Sequence, residues 1–172
     1  MKLLFISLGC DKNLVDSEEM LGMLAADGHE IVDDEDEAEV IIVNTCCFIG
    51  DAKEESVNTI LEMAEKKKAG TCKVLIVTGC MAQRYKKEIS EEIPEVDAIL
   101  GTTSYGDISK AVKEAQAGRH FEEYKSIDFL PDISGKRMLT TGGHFAYLKI
   151  AEGCDKHCTY CIIPRLRGGY RS

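Results

Sequence analysis

The chain has 172 residues, 44% of them hydrophobic and 30% charged, and a net charge of −9. That length supports one well-filled core with some excess. The acidic balance argues against non-specific binding of a polyanionic nucleic acid and suits a basic protein partner better. The charge is uneven: residues 136–172 carry seven Lys/Arg against Glu152 and Asp155, a net +5, which leaves −14 for the rest. Residues 1–8 lack the cleavage-site pattern of a signal peptide, and no apolar run approaches the ~20 residues of a membrane span. The expected setting is therefore the cytoplasm, with no membrane, where the eight cysteines are better suited to metal than to disulfides.

Residues 2–8 form a short apolar run that predicts a buried strand, ended by Gly9 and Cys10. Asp16, with Glu19 three residues on, reads as the capping box of a helix. Met20, Leu21, Leu24 and Ala25 form its apolar stripe, and Gly28 stops it. The acidic run at residues 33–37 reads as a solvated loop. Residues 39–44 predict a second buried strand, ending at Thr45 and Cys46. Asp51 and Glu54 repeat the cap pattern before a helix whose inner face is Val57, Ile60, Leu61 and Ala64, and Gly70 ends it. Residues 73–78 predict a third strand, ending at Gly79 and Cys80. A helix near 82–92, a short strand at 97–100 and a helix at 107–117 follow.

Four alternations of strand and helix predict right-handed crossovers and a sheet covered on both faces. The expected fold class is α/β, a doubly wound parallel sheet over residues 1–120. Over residues 121–143, Pro131, Gly135, Gly142 and Gly143 punctuate polar stretches and suggest a linker. Residues 145–150 read as a strand that delivers Cys154. They are expected to open a second domain, 144–172, which the chain does not complete before Ser172.

Cys154, Cys158 and Cys161 form a C-x3-C-x2-C run. Three thiols are one short of the four that usually hold a [4Fe–4S] cluster, so one iron is expected to stay open for a ligand that is not protein. An open metal position marks a reactive site. The alternatives are zinc, with His157 as a fourth ligand, and a purely structural role. Cys10, Cys46 and Cys80 each follow a predicted parallel strand directly. In an open α/β sheet the carboxyl ends of the strands share one edge, where ligands bind. The three thiols are therefore expected to converge there on a second cluster with an open iron. The plainer alternative is three small apolar residues packed under loops. Cys47 is expected to point elsewhere in its loop, and Cys72, which precedes a strand, to lie at the opposite edge.

Several stretches resemble the radical S-adenosylmethionine methylthiotransferases. They are Gly9-Cys10-Asp11-Lys12-Asn13 with Val15-Asp16-Ser17-Glu18, Asn44-Thr45-Cys46, and Gly79-Cys80-Met81-Ala82-Gln83-Arg84. The last is the Cys154–Cys161 run with Ile163-Pro164 and Arg167-Gly168. Asp11-Lys12-Asn13 resembles the branch that modifies an aspartate of a small-subunit ribosomal protein, where the tRNA-adenosine branch usually carries Gln-Met-Asn. The resemblance implies two [4Fe–4S] clusters. The one on Cys154, Cys158 and Cys161 would bind S-adenosyl-L-methionine and cleave it to a 5′-deoxyadenosyl radical. The one on Cys10, Cys46 and Cys80 would carry the sulfur that is methylated and joined to the substrate β-carbon. Tyr160 falls where the family places an aromatic near the adenine. Cys47 departs from the small residue usual in the family. The resemblance also implies a basic ribosomal protein as substrate, with tRNA as the alternative, and a reductant protein such as flavodoxin or ferredoxin. An electron-transfer or sulfur-carrier module is the competing class. Most of the radical-enzyme α/β barrel and the substrate-binding domain are missing, so the chain is expected to be a fragment that does not turn over alone.

Overall fold

The computed structural model describes residues 1–131 and 137–172; Gly135 of the expected linker lies outside the described residues. The elements run β1 Lys2–Ser7, α1 Asp11–Ala26, β2 Glu30–Ile31, β3 Val40–Thr45, α2 Gly50–Lys68, β4 Val74–Gly79, α3 Cys80–Arg84, α4 Lys86–Glu92, β5 Ala98–Leu100, a 3₁₀ turn Tyr105–Asp107, α5 Ile108–Gln116, β6 Phe121–Glu123 and α6 Ile163–Arg167. The six strands among the described residues are all parallel, in the order β2-β1-β3-β4-β5-β6. The two central strands are buried at every position, as strands covered on both faces must be.

Strand alternation divides the core into two layers. Ile41, Val43, Leu75, Val77 and Ile99 point to one side, where Ile60 and Met63 of α2 and Ile89 of α4 cover them. Val40, Ile42, Ile76, Ala98 and Leu100 point to the other, against Met20 and Leu24 of α1 and Ile108 and Val112 of α5. Thus β1 feeds a helix on one face while its neighbour β3 feeds a helix on the opposite face. The two connections part at the carboxyl ends of β1 and β3, which opens a crevice there. No helix among the described residues is long and apolar enough to cross a membrane.

Several sequence expectations are corrected. The first helix begins at Asp11, not Asp16, and its N-cap is Cys10. Asp16 is 4% exposed and paired with cations, so its carboxylate is not available as a cap. The second helix begins at Gly50 with Ile49 as its N-cap. Leu61 is 46% exposed and Ala25 is also exposed, so both lie off the buried stripes. The helix near 82–92 is two short helices that part at Tyr85. Strands β2 and β6 were not predicted; two and three residues are too few to show a period. β6 lies inside the expected linker and extends the sheet at its edge. Residues 145–150 form no strand, since none of the described elements gives them a backbone ladder, and Leu148 and Ile150 are exposed.

Candidate metal centre

Cys10, Cys46 and Cys80 stand at the carboxyl ends of β1, β3 and β4 and line a single cavity of about 570 Å³. Glycine makes the approach possible at two of these ends. Gly9 has φ +95°, and a Cβ there would sit 2.5 Å from Cys46 Cβ and 2.8 Å from its sulfur. Gly79 also has φ +95°, and a Cβ would meet Asn44 Oδ1 at 2.3 Å and the Thr45 carbonyl at 2.5 Å. Only glycine accepts that backbone without strain. Each glycine therefore turns the chain sharply out of its strand and leaves the next residue, a cysteine, at the rim.

Polar side chains fix the three ends to one another. Asn13 Nδ2 donates to the Leu8 and Thr45 carbonyls, both at 2.9 Å, and so bridges the ends of β1 and β3. Its Oδ1 accepts from Arg167 Nη2 at 2.5 Å and from the Cys80 thiol at 3.8 Å. Ser56 of α2 holds Cys46 on both sides: its Oγ accepts from the Cys46 amide at 3.0 Å and donates to the Cys46 carbonyl at 2.8 Å. Thr45 Oγ1 donates to the Thr78 carbonyl at 2.5 Å, which ties β3 to β4.

The cavity wall is mixed. Phe48, Ile49, Ala52, Ile163 and Leu166 are apolar, while Lys12 and Arg167 are cationic. Burial pushes the Cys80 thiol up to about 12, against the pull of the Arg167 guanidinium. A bound metal ion overrides such a penalty, because a coordinating thiol is deprotonated outright. All eight cysteines are free thiols. No three His, Cys, Asp or Glu side chains among the described residues close on a point that could hold a single ion. What Cys10, Cys46 and Cys80 share is a cavity, and a multi-iron cluster spreads its thiolates over more space than one ion does.

The C-terminal triplet is divided. Cys154 lies on the wall of the strand-end cavity. Cys158 and Cys161 line a neighbouring open cavity of about 490 Å³ with Phe48, Arg84 and Tyr160. Tyr160 is 89% exposed. Cys47 is buried in the apolar layer with Ile41 and Ile60, outside both cavity walls. Cys72 donates to the Val74 carbonyl at 3.0 Å at the start of β4, away from the other thiols.

A buried ionic cluster docks the chain beyond the sheet onto α1. Arg167 Nη1 donates to Asp16 Oδ2 at 2.9 Å and to Glu152 Oε2 at 3.0 Å. Lys149 pairs with Asp16 and, at 3.2 Å, with Glu152. Glu18, fully buried, accepts from the Arg137 guanidinium and from the Thr140 amide at 2.6 Å and hydroxyl at 2.9 Å. Sequence reasoning missed Asn13, Ser56, Asp16, Glu18, Glu152 and Arg167 as parts of the site. Asn13, Asp16 and Ser17 do carry a signal, since their i, i+3, i+4 spacing puts three polar groups on one helical face.

The fold and the site define a doubly wound α/β domain with a thiol-lined cavity at its switch point. The chain belongs to the uncharacterized protein family UPF0004, which it matches over residues 2–101. It is 63% identical over its whole length to the "Ribosomal protein uS12 methylthiotransferase RimO" of Lachnoclostridium phytofermentans. It is 52% identical over its whole length to the protein of that name in Clostridioides difficile, and 51% identical over 99% of its length to that of Trichlorobacter lovleyi. The chain spans 39%, 39% and 38% of those proteins. The resemblance carried by the short motifs thus extends over the chain as a whole.

Proposed function

We propose that this chain is part of a methylthiotransferase that modifies an aspartate of the small-subunit ribosomal protein uS12 in the cytoplasm. In this reading Cys10, Cys46 and Cys80 hold one [4Fe–4S] cluster, and Cys154, Cys158 and Cys161 hold a second that binds S-adenosyl-L-methionine. Residues 1–120 together with β6 form the first unit, the rest of 121–143 a linker, and 144–172 the start of a radical-enzyme domain. The observation that carries the reading is the meeting of the three strand-end thiols on one cavity, with Cys154 on its wall. The relatives that share the sequence over its whole length bear the methylthiotransferase name.

When bound, the clusters and S-adenosyl-L-methionine supply the radical and the transferable sulfur; the protein's part is placement and environment. Gly9 and Gly79 bring the backbone close enough for the thiols to share a ligand. Asn13 and Ser56 hold the strand ends in register. Lys12 and Arg167 offset the negative charge of the thiolates, and Phe48, Ile49 and Leu166 restrict water. Tyr160, beside Cys158 and Cys161 on the open cavity, is positioned to meet a planar ring. The net charge of −14 over residues 1–135 suits a basic ribosomal protein, and an electron donor such as flavodoxin or ferredoxin completes the set of partners.

Deletion of the gene followed by mass spectrometry of ribosomal proteins and of tRNA tests this. The expected result is a uS12 protein that lacks the methylthio mass while tRNA stays normal. Normal uS12 alongside unmodified tRNA would assign the chain to the adenosine-modifying relatives instead.

A further inference from the structure

Arg167 lies on α6, far from β4 in sequence, yet it is 4% exposed and forms part of the cavity wall with all four thiols. One guanidinium spans three partners. Nη1 reaches Asp16 and Glu152, and Nη2 reaches Asn13 Oδ1, the same oxygen that accepts from the Cys80 thiol. Asp16 and Glu152 face Arg167, Lys149 and Lys12, the last 3.5 Å from Glu152. Glu19 also lies near Asp16 and Lys149, and burial raises its pKa. Arg167 and Lys12 are the cations on the cavity wall, and Arg167 is the one that shares Asn13 Oδ1 with the Cys80 thiol.

The planar fork of the guanidinium lets one side chain hold all three partners. Lysine would supply the charge but could not reach Asn13 and both carboxylates at fixed angles. Resting on the cluster reading above, we propose that Arg167 is a positioning residue of the strand-end site. It clamps residues 149–167 onto α1 so that Cys154 faces the other thiols, and it holds a positive charge beside the Cys80 ligand. A fixed cation favours the more negative, reduced state of a thiolate-bound cluster, so its removal should make reduction harder.

The test uses the full chain carrying Cys154→Ala, Cys158→Ala and Cys161→Ala, so that only the strand-end thiols remain, reconstituted anaerobically with iron and sulfide. Redox titration followed by electron paramagnetic resonance compares this parent with Arg167→Lys and with the charge-balanced pair Glu152→Gln/Arg167→Gln. The expected result is a more negative midpoint in the double variant and a midpoint near the parent's in Arg167→Lys. Loss of iron from the double variant alone also supports a need for the charge. Equal midpoints in all three overturn the proposal, and so does equal loss of iron from both variants, which would make Arg167 a fold residue only. A parent that takes up no iron contradicts the cluster reading itself.

Discussion

The Asn13 amide spends both its protons on backbone carbonyls, those of Leu8 and Thr45, at the ends of two different strands. Its oxygen meets the Arg167 guanidinium and the Cys80 thiol. No apolar or acidic residue can repeat that pattern. Asn13→Asp would set a carboxylate oxygen against two carbonyl oxygens and leave both carbonyls without a donor. Unsatisfied buried polar groups cost about 1–3 kcal/mol each. The substitution is expected to lower stability by about 2–3 kcal/mol in urea unfolding at neutral pH. The cysteines themselves were legible in the sequence because each directly follows a readable strand. Asn13 was not, because its partners are carbonyls contributed by two other segments, and no local pattern encodes them.

At the scale of elements, the helix α1 does different jobs at different points along its length. Met20 and Leu24 pack on the sheet, Asn13 and Ser17 bond the strand ends, and Asp16 and Glu18 pair with Arg167 and Arg137. Strands β1, β3, β4 and β5 were legible because unbroken apolar runs between glycines leave few other readings. The start of α1 was misread because an aspartate followed by glutamate three residues on looks like a cap; here it is a mid-helix anchor for distant cations. Glu18 makes this testable. Burial pushes its carboxyl up, but the Thr140 amide, the Arg137 guanidinium and the Thr140 hydroxyl outweigh it and hold the group below its ordinary 4.5. A carboxylate lowered on folding stabilises fully above its unfolded value, and that contribution fades as the pH falls through its folded value. Glu18→Gln is therefore expected to cost about 2 kcal/mol at pH 7. The gap from wild type should narrow below about pH 4.5, read from urea midpoints across the pH range.

At the scale of the whole molecule, a parallel sheet gathers residues separated by 70 positions onto one edge, and the switch point between β1 and β3 decides where. That much follows from strand order alone. The arrival of Cys154 on the same cavity does not, because it depends on ionic contacts between α1 and α6 that only the folded chain reveals. The cluster proposed for Cys10, Cys46 and Cys80 is open to a direct count. Iron and acid-labile sulfide, counted after anaerobic reconstitution of the chain with Cys154, Cys158 and Cys161 changed to alanine, test it most directly. About four irons per chain are expected, and their loss when Cys10, Cys46 or Cys80 is also changed to alanine. Iron uptake that survives all three of those changes would contradict it.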